Sequence, residues 1–195
     1  MAFLISDIKN SNPQNEVMYL FDANVWLAIL EGFYNERMYN SYITFFDKII
    51  TNRIAPSAMI GMPSLLISEI INRIMKDIYY YNYCADSNLN FNTPGQYKRI
   101  YRESKEYVLD FENVCSNIRD YDKKITFISD DLNLYTCDDI IKNIPQHLDF
   151  NDYVYCKIAS KKNIAIVTND KDFKVEDIRI LTIQKSLLDL NTFKK

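Results

Sequence analysis

Two short apolar runs in this chain of 195 residues each lead onto an aspartate, and this arrangement constrains the fold more than any other feature. Run 17–21, VMYLF, delivers Asp22, and run 164–167, IAIV, is followed within three residues by Asp170. Runs of four or five apolar residues have the length of strands rather than helices. Being apolar at every position, they suit a parallel sheet covered on both faces. Ligands of such sheets bind outside the carboxyl ends of the strands. Two strands that each present a carboxylate there point to a metal site.

The rest of the chain is consistent with helices between such strands. Residues 1–16 read as a lead-in or short extra element, and Asn24 is available to cap a helix that begins after Asp22. A second helix is expected over 38–51, and 54–56 as a short strand or a turn. From Pro63 onward Ile67, Ile70, Ile71, Ile74 and Ile78 recur at threes and fours, the stripe of a half-buried helix that carries Glu69 at its border. Residues 88–95 form a loop, and a long helix is predicted over 96–119. ITFI at 125–128 reads as a strand and 136–142 as a short helix. IRILT at 178–182 supplies a last strand, and QKSLLDL a closing helix. Alternating strands and helices predict an α/β fold around a central parallel sheet.

Length fits one domain with a full core. With only three glycines, the sequence offers no glycine-rich phosphate loop. No run approaches the ~20 apolar residues that span a bilayer. The four cysteines form no CxxC pair and read as buried reduced thiols, with the cytoplasm as the expected compartment. His147 is the sole histidine, a poor start for zinc. A net charge of −3 argues against stoichiometric nucleic-acid binding through phosphates but leaves room for a nuclease.

Asp22, Glu69, Asp152 and Asp170 are the candidate metal ligands. Hard divalent cations take oxygen donors, and a cation supplies the charge that gathered carboxylates lack. Each acid also has a structural reading. Asp149 and Asp152 suit a helix cap and its partner. Glu69 and Arg73 suit a surface ion pair, Asp22 and Asn24 strand-end capping, and Asp170 and Asp172 a turn.

Three segments resemble the PIN-domain family, small α/β metal-dependent ribonucleases that include toxins of toxin–antitoxin pairs. They are FDANVW at 21–26, LLISEIINRI at 65–74 and DYVYCKIASKKNIAIVTNDKDF at 152–173. The resemblance implies a three-layer α/β/α sandwich with Mg2+ or Mn2+ held by Asp22, Glu69, Asp152 and Asp170. Asn24, Thr168 and Asp149 would support them, and Asp172 is a second candidate for the fourth place. It implies hydrolysis of RNA, an antitoxin partner and a homodimer. Lys171 and Lys174, and also Lys161 and Lys162, lie where phosphates would pass. The resemblance hardly covers 82–123, so a single domain over 1–195 is expected to carry a helical insertion there. The alternative is a non-catalytic module of the same fold that binds RNA or a protein through its tyrosine-rich middle. A third reading is a phosphatase or DNA nuclease.

Overall fold

A computed structural model of the chain describes residues 2–32, 36–142 and 144–191, with residues 36 and 37 described by backbone alone. Six strands form one sheet: β1 (Leu4–Asp7), β2 (Met18–Phe21), β3 (Met59–Pro63), β4 (Ile125–Ile128), β5 (Ala165–Val167) and β6 (Arg179–Thr182). All neighbours are parallel, in the order β1-β6-β5-β2-β3-β4. The nine α-helices of the described residues are α1 (Ala23–Glu31), α2 (Glu36–Ile50), α3 (Ser64–Arg73), α4 (Tyr80–Asp86), α5 (Gln96–Arg99), α6 (Lys105–Arg119), α7 (Cys137–Ile141), α8 (Phe150–Lys162) and α9 (Lys185–Leu188). They flank the sheet to give three layers, α/β/α.

Burial on both faces is what a parallel sheet requires. Along β2, Tyr19, Leu20 and Phe21 are all buried although alternate side chains point to opposite sides. One face is sealed by aromatic packing: Phe21 meets Trp26 of α1 at 6.5 Å and Phe46 of α2 at 5.4 Å, and Tyr19 meets Phe45 at 5.2 Å. Ring edges face ring planes in all three pairs, the orientation that the ring quadrupoles favour.

From β2 the chain passes to β3 on one side, whereas from β5 it passes to β6 on the other. The order of strands therefore reverses between β2 and β5. Their carboxyl ends frame the crevice where parallel sheets bind ligands.

Two strands lie where the sequence pattern showed none. β3, MIGMP, follows the 54–56 segment rather than coinciding with it, and it places Gly61 between β2 and β4. A Cβ on Gly61 would come within 2.8 Å of Met18 Sδ and 3.2 Å of Ile128 Cδ1, so the close approach of three strands selects glycine against β propensity. β1, within the segment expected as a lead-in or short extra element, is an edge strand paired with β6. The helix expected over 96–119 is broken. α5 is followed by the single turn Tyr101–Glu103, and Ser104 then caps α6 by accepting the Tyr107 N–H at 3.1 Å. α3 runs through a π-helical stretch, Ile74–Tyr79, into α4.

The tyrosines of the middle segment pack on one another. Tyr101 is fully buried, with Tyr80, Tyr83, Tyr97 and Tyr107 all within 5.6 Å, and its hydroxyl donates to Asp110 at 2.6 Å. Of the cysteines, Cys84 and Cys156 are buried and Cys115 is half-buried. Cys137 is exposed, so the expectation of four buried thiols fails there. Among the described residues no helix is long and apolar enough to cross a membrane.

Leu20 has no solvent exposure in the central strand, whereas Phe127 on edge strand β4 is 72% exposed. Leu20→Ala is expected to cost about 2–5 kcal/mol in urea unfolding. Phe127→Ala should stay within about 0.5 kcal/mol of the parent. Equal losses at the two positions would contradict this account of the core.

Candidate metal centre

β2 ends as Asp22 donates its backbone N–H to the Val167 carbonyl at 2.9 Å, continuing the β2–β5 ladder by one bond. Asp22 then occupies the N-cap position of α1, a position expected for Asn24, which lies inside the helix instead. Its carboxylate makes no capping bond. It is turned toward Thr168, whose hydroxyl donates at 3.0 Å, and toward the Asn24 amide at 3.3 Å. The Asn24 carbonyl accepts from Arg73 Nη1 at 2.8 Å, and Arg73 Nε lies 3.7 Å from Asp77. Arg73 thus links α3 to the foot of α1.

After β5 the chain turns on its own side chains. Asp170 N–H donates to Thr168 Oγ1 at 2.9 Å, and Asp172 N–H donates to Asp170 Oδ1 at 2.8 Å. The buried Thr168 hydroxyl therefore serves both acids, as donor to Asp22 and acceptor from Asp170. Asp172 contributes its N–H to the turn. Tyr42 of α2 buttresses the same edge. Its hydroxyl accepts from Ile183 N–H at 2.9 Å and lies within 3.3 Å of the Thr168 carbonyl, Asn169 Oδ1 and Thr182 Oγ1.

α8 brings the third acid. Asp149 is its N-cap and accepts the Asp152 N–H at 2.8 Å, which places Asp152 in the first turn. The same helix reaches the fourth acid. Asn151 Nδ2 and the Tyr155 hydroxyl donate to Glu69 Oε2 at 2.9 and 2.8 Å. Neither residue was singled out from the sequence, although Asn151 and Tyr155 stand four apart and flank Asp152, the spacing that shares a helical face.

The four carboxylates feel one another. Burial pushes Asp22 up to about 6, opposed by the Thr168 hydrogen bond and reinforced by the charges of Glu69 and Asp170. Burial also pushes Asp152 up to about 8, and Asp22, Asp149, Asp170 and Glu69 all add to the rise. Burial and the Glu69 charge raise the Tyr155 hydroxyl, which stays a proton donor. Among the described residues, however, no three Asp, Glu, His or Cys side chains are grouped as a single metal ion would need them. Glu69 is turned to Tyr155 and Asn151, and Asp22 to Thr168 and Asn24. The donor set, all oxygen, has the chemistry of a Mg2+ or Mn2+ site.

The basic candidates separate. Lys171 and Lys174 are exposed beside the acidic turn. Lys161 and Lys162 are engaged elsewhere, 3.3 and 2.9 Å from Asp131.

No protein-family model and no curated protein matches this sequence. Among solved structures, the chain is similar to one in VapBC2 from Rickettsia felis, crystallised with a DNA fragment from its promoter. The identity is 14% over 86% of this chain and 100% of that one, with a TM-score of 0.48. It is similar also to PAE2754 from Pyrobaculum aerophilum, at 16% identity over 90% and 96% of the two chains and a TM-score of 0.47.

A folded chain that keeps Asp152 protonated up to about pH 8 binds a proton that the unfolded chain releases near pH 4. Between those values the native state carries the extra proton, so this carboxyl makes metal-free stability fall as pH rises. Metal-free Asp152→Asn is expected to melt above the parent at pH 8, with the parent gaining on it as pH falls toward about 4. Parallel melting curves across that range would show that Asp152 is not the strained carboxyl.

Proposed function

We propose that this chain is a Mg2+- or Mn2+-dependent ribonuclease that hydrolyses RNA phosphodiester bonds. The observation that supports it is that Asp22 and Asp170 follow adjacent strands at the crevice where strand order reverses, tied through the Thr168 hydroxyl, with Asp152 and Glu69 electrostatically coupled to Asp22. Burial pushes Asp152 up to about 8, with the charges of Asp22, Asp149, Asp170 and Glu69 adding to it, and a divalent cation is the partner that relieves such charge.

Asp22, Glu69, Asp152 and Asp170 would hold the ion, with Glu69 turning from Tyr155 and Asn151 toward its neighbours. Bound there, a divalent cation supplies activation of water and stabilisation of charge on a phosphoryl oxygen. The chain's own residues do the rest. Thr168 fixes the Asp22 carboxylate and, through the Asp170 N–H, the turn beside it. Asn24 steadies Asp22 from the other side under the control of Arg73. Asp152, held protonated by burial in the metal-free chain, would give up that proton where the ion binds. Asp149 and Asp172 serve as helix cap and turn former. Lys171 and Lys174, exposed beside the acidic turn, would contact phosphates.

RNA as the substrate rests on the resemblance of the three sequence segments, as do an antitoxin partner and a homodimer. A non-catalytic module is favoured by one observation, the lack of a ready-made three-carboxylate group among the described residues. Metal binding separates the two.

Titration with Mn2+ should show binding with proton release, tightening from about pH 6 to about 8 as Asp22 and Asp152 ionise. Asp22→Asn should lower Mn2+-dependent cleavage of mixed RNA roughly 100-fold or more with the circular dichroism unchanged. Full cleavage by that variant sinks the mechanism, and absence of Mn2+ binding by the parent sinks the enzyme.

A further inference from the structure

The amino-terminal half of the sheet carries a second feature that the acidic centre does not use. Parallel register sets Leu4 beside Arg179 and Ser6 beside Leu181, and it sets Tyr19 beside Ala165. Alternation puts Leu4, Arg179, Ala165 and Tyr19 in one row on one face. Ala165 is the small member of that row, between a tyrosine and an arginine. Above it opens a cleft of about 480 Å3, a volume typical of small-molecule sites. The segment between β1 and β2 forms one wall, held to α2 where Lys48 Nζ donates to Asn12 Oδ1 at 2.9 Å.

The chemistry of this cleft is the inverse of the acidic centre. Its one charged lining residue is Arg179. Arg179 Nη2 donates to the Asn163 carbonyl at 2.8 Å, which anchors the guanidinium. Its Nε is shielded from solvent and has no hydrogen-bond partner, and among the described residues no carboxylate pairs with it. A buried N–H without an acceptor is costly, and on a cation more so. Beside it the Tyr19 hydroxyl accepts the Gln14 N–H at 2.9 Å, leaving its own proton to donate. Burial keeps that hydroxyl protonated. Phe3, Leu4 and Leu181 supply apolar walls.

We propose that this cleft binds a small amphiphilic anion, a short-chain carboxylate whose headgroup meets Arg179 and whose hydrocarbon lies over Ala165, Leu4 and Leu181. The site lies at the opposite end of the strands from Asp22 and Asp170, and its occupancy does not depend on a metal.

Calorimetry on the full chain with straight-chain carboxylates from acetate to octanoate provides the test, with inorganic phosphate as a probe of charge alone. Affinity is expected to rise about fourfold for each methylene until the cleft is full, and phosphate to bind more weakly than octanoate. Arg179→Gln should weaken octanoate roughly tenfold or more, and Arg179→Lys should restore part of the loss. Because Arg179 also ties Asn163, a second variant acts from outside: Ser6→Phe, at an exposed lining position, should block octanoate with the melting temperature unchanged. The proposal is overturned if no carboxylate binds at millimolar concentration, if affinity is flat with chain length, if phosphate matches octanoate, or if Arg179→Gln and Ser6→Phe both bind octanoate as the parent does.

Discussion

The bond from the Asp22 N–H to the Val167 carbonyl holds the centre of this molecule together. It is the last link between β2 and β5, the two strands at which the chain's direction across the sheet reverses. Because it forms, Asp22 and the Thr168–Asp170 turn leave the sheet side by side. The neighbouring helices carry the other two acids. Asp152 arrives on the helix that precedes β5, and Glu69 on the helix that follows β3, next to β2 in the sheet. The geometry of the crevice is a consequence of strand order, and the carboxylates occupy what strand order leaves open.

That placement works against stability. Asp22 is buried and Glu69, Asp152 and Asp170 are half-buried, and three of the four have private donors: Thr168 and Asn24 for Asp22, Tyr155 and Asn151 for Glu69, the Asp172 N–H for Asp170. Asp152 is left with the least support and carries the largest displacement of its titration. A hydrophobic core on both faces of β2 supplies the surplus that makes this affordable. The opposite end of the sheet has the reverse imbalance, a guanidinium with an unmet donor among apolar walls.

β2 and β5, with Asp22 and Asp170 just beyond them, were readable because an apolar run followed by a carboxylate is a local pattern. The helix that carries Glu69 was readable from its periodicity. β3 was not, because Gly61 and Pro63 lower strand propensity and only the packing of Met18 and Ile128 explains the glycine. β1 was missed because four residues of ordinary composition become a strand only when β6 arrives to pair with them. The break before α6 lay in the cap formed by Ser104, a signal overridden by the aromatic periodicity on either side. Asn24 looked like the helix cap because asparagine and aspartate cap equally well, but Asp22 holds the position while its side chain accepts from Thr168 instead. The private donors, Asn151 and Tyr155, were hidden for another reason: nothing in a sequence shows that two helices from distant segments will face each other.

β1 pairs with a strand some 175 residues later, where Ala2 and Asp177 exchange hydrogen bonds, and Asp22 waits for Val167. A chain emerging from the ribosome therefore carries its first acid long before the last one exists. Neither the crevice nor the sheet edge can close until β5 and β6 have been made. Such a topology orders assembly: the strands that lead to Asp22 and Asp170 come together only after the whole helical middle of the chain lies between them.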